Sequence, residues 1–146
     1  IGALLGDNLR IKGIIKEHIE ALLMKLKEIG VEYTIESDVL TISKCEHLKS
    51  TYIKTLVFPG FPTDLQQPMT TLLTQAEGKS IVEETLYENR FKNTYDLNLR
   101  CWASLLIAGL IADGVTEIES SEYILRGYGD VDKKLANVGA KIKVTE

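Results

Sequence analysis

The sequence has few cysteines and no excess of positive charge. Only two of its 146 residues are cysteines, Cys45 and Cys101. They lie far apart, which argues against a disulfide framework and against a cysteine metal site. The net charge is -4, and phosphate backbones attract positive charge, so neither a nucleic acid nor an anionic membrane is an expected partner. An anionic substrate would have to be held by a few individually placed cations.

Long apolar segments are also absent. The longest run, residues 101–112, has twelve residues, whereas a helix that crosses a bilayer needs about twenty. No charged segment followed by an apolar one opens the chain as in a signal peptide. The two histidines, His18 and His47, have no obvious third ligand, so no metal is expected. These features favour one soluble domain in a reducing cytoplasm, without a membrane segment or a cofactor.

Apolar spacing predicts a mixed chain of helices and strands. Residues 9–12, 31–35 and 39–42 alternate as strands do, and Ile19, Leu22, Leu23, Leu26 and Ile29 recur at helical spacing before Gly30. The opening is therefore predicted to be β-α-β-β, with a turn at residues 37–38. Further helices are predicted at residues 63–76 (closed by Gly78), 99–112 and 130–138, and strands at residues 53–57, 80–86, 116–120 and 141–144.

Several segments echo one another. Residues 76–83 (AEGKSIVE) and 112–119 (ADGVTEIE) share one pattern, and an arginine follows fourteen residues after each alanine, at Arg90 and Arg126. Residues 25–31 (KLKEIGV) and 134–140 (KLANVGA) form a second pair. The glycines predicted to end helices, at positions 6, 78 and 114, are 72 and 36 residues apart. A repeat of about seventy residues with its third copy halved is the simplest interpretation, and chance reuse of glycine caps is the alternative.

A halved third copy implies that a helix and a hairpin are absent between Leu97 and Leu99. The chain also begins at what is predicted to be the tail of a helix. We therefore expect residues 1–146 to form a single incomplete domain with an internal deletion near residues 97–99.

The segment FPGFPTDLQ, residues 58–66, is the best candidate for active-site chemistry. Thr63 and Gln66 have the spacing of a capping box, and Asp64 in the first turn suits the positive end of a helix dipole. That structural interpretation accounts for the segment. Alternatively, Asp64 is a carboxylate held by a rigid turn, where it could accept a proton from a substrate hydroxyl.

Three arginines are candidates for anion binding. Arg100 precedes Gly114 by fourteen residues, as Asp64 precedes Gly78, so it starts an apolar helix where a cation opposes the dipole. That position favours an anion site, with a solvated side chain as the alternative. Arg90 and Arg126 follow equivalent strands, and a repeated architecture would bring them to the same edge. Three arginines and one aspartate there would suit phosphate and carboxylate groups, whereas singly each is more often a surface ion-pair partner.

The segments LVFPGFPTDLQ (56–66), EETLYENRF (83–91) and RGY (126–128) together resemble the UDP-N-acetylglucosamine 1-carboxyvinyltransferase family of enolpyruvyl transferases. The resemblance covers nearly the whole chain. It implies an α/β (α+β) fold of repeated β-α-β-α-β-β units, three in each of two domains. In this family a helix and a hairpin precede T-D-L-R-A-S. Here the corresponding segment is LNLRCWAS, residues 97–104, so the third repeat is shortened.

The resemblance also implies a reaction. Such enzymes transfer enolpyruvyl from phosphoenolpyruvate to the 3-hydroxyl of UDP-N-acetylglucosamine and release phosphate, the first committed step of peptidoglycan synthesis and thus of cell-wall biogenesis, cell shape and cell division. By resemblance Asp64 deprotonates that hydroxyl, Leu86 contacts the nucleotide sugar, Arg100 and Arg126 lie near phosphoenolpyruvate, and Arg90 lines the cleft.

The family's cysteine proton donor, its lysine and its second domain lie outside this chain, so the chain alone is expected to be inactive. A non-catalytic remnant that merely folds or self-associates is the alternative. A shikimate-pathway enolpyruvyl transferase is a weaker match, because the resemblance to that family does not extend to the PGFPTD segment.

Overall fold

The computed structural model describes residues 1–87, 99–112, 114–118, 128–137, 139–142 and 144. The chain forms two compact units, Ile1–Lys92 and Asn93–Glu146. No helix in the described ranges has the length and apolar character needed to cross a membrane.

The first unit opens with a three-stranded antiparallel sheet of order β1-β3-β2. Its elements in chain order are α1 (Gly2–Leu5), β1 (Leu9–Lys12), a 3-10 turn (Lys16–His18), α2 (Glu20–Glu28), β2 (Tyr33–Glu36) and β3 (Val39–Ile42). The β2–β3 register pairs Glu36 with Val39, which leaves a two-residue turn in which Ser37 has a φ of 55°. The predicted β-α-β-β opening and its turn are confirmed.

Two pairs of parallel strands complete this unit. Its remaining elements are β4 (Leu48–Lys49), β5 (Tyr52–Lys54), a 3-10 turn (Thr63–Leu65), α3 (Gln66–Leu73), β6 (Ala76–Glu77) and β7 (Ile81–Glu83). Strand β4 pairs with β6, and β5 pairs with β7. Parallel strands need a crossover connection, and the segment containing α3 provides it. The carboxyl ends of β5 and β7 therefore lie at the same edge.

One apolar cluster holds the first unit together. Helices α2 and α3 each bury one face, and Ile29 and Ile53 have no exposed surface. Such burial contributes roughly 25 cal/mol per Å² of apolar surface removed from water. The buried members are Ala3, Leu23, Leu26, Ile29, Val31, Leu40, Ile42, Leu48, Ile53, Phe61, Met69, Leu72 and Leu73.

The second unit contains α4 (Leu99–Ile111) and α5 (Val131–Asn137), close to the predicted helices. The end of α5 repeats the end of α2. In α2, Gly30 N–H donates to Lys27 O and Val31 N–H to Leu26 O; in α5, Gly139 N–H donates to Ala136 O and Ala140 N–H to Leu135 O. Both glycines have positive φ, 93° and 99°, as in a Schellman cap. The sequence echo KLKEIGV/KLANVGA therefore has a counterpart in backbone geometry.

The helix predicted at residues 63–76 is too long. It starts as a 3-10 turn, becomes α-helical at Gln66 and ends at Leu73, where Thr74 N–H bonds to both Thr70 O and Thr71 O. Ala76 belongs instead to β6, opposite Leu48. It is partly buried against the same cluster as α3, which explains why helical spacing of apolar residues included it. Gly78 has a φ of 89° but follows a strand, so it does not end the helix.

Two of the predicted strands, residues 53–57 and 80–86, are also too long. Strand β5 ends at Lys54 and β7 ends at Glu83, which are the last residues that the two strands pair. The described residues 116–118, 141, 142 and 144 are not in strands, so that the predictions there are wrong for those residues. The pattern of glycines at 6, 78 and 114 does not recur in conformation, since Gly6 is extended with a φ of -77°.

Candidate active site

Residues 56–61, which include the first half of the PGFPTD segment, form a closed loop after β5. Leu56 N–H donates to Phe61 O at 2.9 Å, and Gly60 N–H donates to Val57 O at 2.8 Å. The side chain of Phe61 is 5% exposed and belongs to the apolar cluster, whereas Phe58 at the tip is 75% exposed. The loop is thus closed by its own backbone and anchored at its end. It delivers the chain into the turn that contains Asp64.

Asp64 is the middle residue of the 3-10 turn, and its side chain is exposed. The predicted capping box is wrong. Pro62 occupies the cap position without a side-chain bond, and the hydroxyl of Thr63 donates 2.6 Å to a carboxylate oxygen of Glu84. A charged acceptor attracts a hydroxyl more strongly than neutral groups do. The side-chain Oε1 of Gln66 is buried without a hydrogen-bond partner in the described part of the chain, so it does not accept the cap N–H as a capping box requires.

Glu84, the residue directly after β7, is the centre of a hydrogen-bond network. Its Oε1 accepts hydrogen bonds from Thr55 Oγ1 at 2.8 Å, from Leu86 N–H at 2.9 Å and from Tyr87 N–H at 3.3 Å. Its Oε2 accepts the Thr63 hydroxyl. Sequence reasoning missed this residue. The available signal was an acidic side chain within the strand predicted at residues 80–86, inside one of the segments that carry the family resemblance.

Thr55 ties the ends of β5 and β7 together from within the protein. The residue has no exposed surface, and its hydroxyl oxygen accepts Thr85 N–H at 3.0 Å while donating to Glu84. The Thr85 hydroxyl donates in turn to the Thr55 carbonyl. A buried hydroxyl is tolerated when it is hydrogen-bonded, and here the bonds extend the strand pairing by side chains.

The network keeps Glu84 ionised. Partial burial pulls the pKa of Glu84 upward, but the bonds from Thr63, Leu86 N–H, Thr55 and Tyr87 N–H together outweigh burial and hold it below its ordinary value of 4.5. Hydrogen bonds to a carboxylate favour its charged form. The site therefore has a fixed negative charge at neutral pH.

This pKa predicts an acid-sensitive contribution to stability. Because the pKa of Glu84 is lower in the folded chain than in the unfolded one, its stabilisation is fully present above about pH 4.5 and is lost as the pH falls through the folded value. Glu84→Gln does not titrate. We expect the difference in unfolding free energy between wild type and Glu84→Gln, measured by urea denaturation, to shrink as the pH falls from 6 to about 3. A difference that stays constant over this range would contradict the assignment.

Of the other predicted site residues, the described ranges include Leu86 and Arg100. Leu86 lies two residues after Glu84 and is 38% exposed; its backbone N–H donates a hydrogen bond to Glu84. Arg100 is the second residue of α4, in the second unit. Arg90 and Arg126 lie outside the described residues. The Thr63–Glu84–Leu86 bonds link Asp64's turn to Leu86, while the convergence of the three arginines on Asp64 stays a prediction.

Cys45 is half-buried, with its Sγ 3.4 Å from Gly30 O. Within the described ranges, no group of three histidine, cysteine, aspartate or glutamate residues could hold a metal ion.

The fold defines a class. The chain superposes on the crystal structure of the enolpyruvyl transferase NikO from Streptomyces tendae with a TM-score of 0.83, over 99% of this chain and 42% of that one, at 24% identity. The sequence model of the EPSP synthase (3-phosphoshikimate 1-carboxyvinyltransferase) family matches residues 1–99. The chain therefore belongs to this family of carboxyvinyl transferases, and the mixed helix-and-strand fold predicted from sequence is confirmed.

The relatives are more specific. The chain is 40% identical to UDP-N-acetylglucosamine 1-carboxyvinyltransferase 2 of Listeria monocytogenes over 97% of its length. It is 37% identical to UDP-N-acetylglucosamine 1-carboxyvinyltransferase of Streptococcus pneumoniae over its full length. It is 41% identical to UDP-N-acetylglucosamine 1-carboxyvinyltransferase 2 of Bacillus subtilis over 97% of its length. It spans only 41%, 42% and 40% of these relatives, respectively. The resemblance inferred from three segments is confirmed.

Proposed function

We propose that this chain forms part of an enzyme that transfers the enolpyruvyl group from phosphoenolpyruvate to the 3-hydroxyl of UDP-N-acetylglucosamine. The observation that carries the proposal is the exposed Asp64 in a 3-10 turn that directly follows a loop closed by its own backbone and that is bound through Thr63 to Glu84. The names of the relatives supply the substrates. The proposal places the reaction in the cytoplasm, in the pathway that builds the cell wall.

Asp64 is assigned as the general base. Its carboxylate accepts the proton of the sugar 3-hydroxyl, and the oxygen forms a bond to C2 of phosphoenolpyruvate, whose C3 takes up a proton. The C–O bond to phosphate then breaks, phosphate leaves, and loss of a proton from C3 restores the double bond. Leu86 is assigned to the nucleotide sugar through its carbonyl oxygen, because its N–H is bonded to Glu84.

Arg90, Arg100 and Arg126 are assigned to the phosphate and carboxylate of phosphoenolpyruvate. Guanidinium groups bind both anions with paired hydrogen bonds and remain charged at any physiological pH. Two features support this assignment: Arg100 lies in the first turn of α4, and Arg90 and Arg126 follow the two echoed segments at equal spacing.

We also propose that residues 1–146 form a single incomplete domain, in which a helix and a hairpin are missing near residues 97–99. The alignment with the Streptococcus pneumoniae relative has 176 positions for 146 residues of this chain, so about 30 positions have no counterpart. The family match ends at residue 99, where the repeat pattern places the break. A second domain of the same enzyme would be the partner, and without it the cleft cannot close around the substrates.

These assignments predict binding without turnover. In an isotope-labelled sample of the chain, millimolar UDP-N-acetylglucosamine is expected to shift the amide signals of Asp64 and Leu86, while phosphate release with both substrates stays at the rate without protein. The intact mass is measured first, because a mass above 16.3 kDa would indicate that the missing segment is present. Asp64→Ala should weaken the response, and Glu77→Gln, an exposed control paired with His47, should not.

Two results would contradict the proposal in different ways. The absence of shifts at both residues would contradict the substrate assignment, whereas turnover near that of a complete enzyme would contradict the incomplete domain.

A non-catalytic, self-associating remnant is the second candidate, favoured by adjacent exposed apolar side chains at Leu56, Val57 and Phe58. Dimers or larger species in solution, together with no response to the nucleotide sugar, would support that candidate.

A further inference from the structure

Glu84 connects two backbone segments beyond the last paired residues of β5 and β7. The pairing ends at Lys54 and Glu83. From there one chain enters the loop that leads to Asp64, and the other continues into Leu86. The carboxylate of Glu84 is bonded to both, through the hydroxyl of Thr63, 21 residues away in sequence, and through the N–H of Leu86, two residues away.

The two oxygens of this carboxylate have separate partners. Oε1 accepts the hydroxyl of Thr55 and the two N–H groups of Leu86 and Tyr87, which lie on or beside its own strand pair. Oε2 accepts Thr63 from the turn of Asp64. Oε1 thus joins the end of β5 at Thr55 to the turn after β7. The bond that Oε2 accepts from Thr63 extends this connection to the turn of Asp64, so the side chain bridges the two segments.

From this geometry we infer that Glu84 is a positioning residue that holds the turn of Asp64 in register with Leu86. The inference rests on the proposed function, in which Asp64 faces the sugar hydroxyl and Leu86 contacts the nucleotide sugar. A displacement of about 1 Å in an active site can reduce the rate of reaction roughly a hundredfold, so a fixed spacing between the two residues matters for the reaction. The lowered pKa of Glu84, set by burial against these same hydrogen bonds, keeps the bridge ionised at neutral pH.

The neighbouring residue Glu83 provides a matched control. It ends the same strand, but its carboxylate accepts the Tyr52 hydroxyl and pairs with Lys54 at 3.3 Å. Glu83 and Glu84 are both acidic and adjacent, yet Glu83 bonds within the strand pair and Glu84 reaches the Asp64 turn. Removing the charge at Glu83 should therefore leave the two segments in place.

The test compares Glu84→Leu, Glu84→Gln and Glu83→Gln in titrations of the labelled chain with UDP-N-acetylglucosamine. Glu84→Leu removes all four bonds and is expected to raise the dissociation constant by about tenfold or more. A tenfold rise corresponds to a loss of roughly 1.4 kcal/mol of binding free energy. Glu84→Gln should stay within about threefold of wild type, as should Glu83→Gln. The amide oxygen can still accept the backbone N–H groups, and its NH₂ can donate to Thr63, whose hydroxyl also accepts.

A double-mutant cycle with Thr63→Val isolates the bridge. Thr63→Val alone should weaken binding, and in the Glu84→Leu background it should have no further effect. Additive effects, or equal affinities of wild type and Glu84→Leu, would overturn the inference. If Glu84→Leu does not fold, Thr63→Val decides alone, because it removes one hydroxyl at nearly constant volume: it must shift the amide signals of Leu86 and Tyr87.

Measurements without substrate separate this inference from the proposed function. In the free chain, Glu84→Leu should accelerate hydrogen exchange at the amides of Leu86 and Tyr87 and shift the amide of Asp64, whereas Glu83→Gln should do neither. If these changes occur but the wild-type chain does not respond to UDP-N-acetylglucosamine, the proposed function fails and the positioning role stands. If the wild type responds and these changes are absent, the positioning role fails.

Discussion

Replacing Ile53 by alanine is expected to lower the free energy of unfolding by about 2–5 kcal/mol, the range for truncating a fully buried aliphatic side chain. Ile53 is the central residue of β5, pairs with Val82 in β7 and has no exposed surface. The variant loses the burial of its side chain, and it leaves a cavity that close-packed neighbours fill only in part. Urea denaturation, with an unchanged dependence on denaturant, measures the loss.

Ile81→Ala is the matched control for this variant. Ile81 lies in β7, beside β5, but is 49% exposed, so its truncation should cost less than about 1 kcal/mol. Equal losses for the two variants would contradict the burial of β5 at the centre of the first unit. The effect should also reach the candidate site, because β5 runs directly into Thr55 and the loop that holds Asp64.

Local patterns were sufficient to predict the elements whose determinants lie within a few residues. Helix α2 shows helical spacing and a glycine at its end. The turn at Ser37 follows from two alternating segments separated by two residues. The echoed ends of α2 and α5 share hydrogen bonds as well as sequence, because a Schellman cap depends on one glycine and its neighbours.

Errors occurred where distant partners decide the structure. The end of α3 was misplaced because Ala76 pairs with Leu48, 28 residues earlier, a contact that apolar spacing does not reveal. The capping box failed because Thr63 donates to Glu84, 21 residues later. Both depend on parallel strand register, which no local pattern specifies.

In the candidate site, too, locally determined features could be predicted and features that depend on distant residues could not. The position of Asp64 on a turn after a closed loop followed from the Pro-Gly-Phe-Pro segment, whose residue types restrict the backbone locally. The role of Glu84 could not be inferred, because its donors lie after β5, in the 3-10 turn and after β7, three segments that meet only in the folded chain. The roles of Arg90, Arg100 and Arg126 rest on spacing and resemblance.

Gly60→Ala is expected to disturb this site most directly. A Cβ on Gly60 would lie closer than 3.0 Å to Leu56 Cβ and 3.0 Å from Val57 O. Neither atom is the flexible end of a side chain, so the loop itself must shift. Overpacking of this kind costs about 1–3 kcal/mol, and here it acts against the two bonds that close the loop, Leu56 N–H to Phe61 O and Gly60 N–H to Val57 O.

The measurement is urea denaturation together with the amide spectrum. Gly60→Ala should lose about 1–3 kcal/mol and shift the amide signals of Phe61 and Asp64. Gly129→Ala is the control, because no heavy atom of the described residues lies within 4 Å of a Cβ built on it and its φ is outside the left-handed region; it should change stability by less than about 0.5 kcal/mol. A neutral Gly60→Ala with an unchanged Asp64 signal would mean that the loop adapts freely. In that case Asp64 would not be held by loop closure, and the main structural support for its role as a positioned base would be lost.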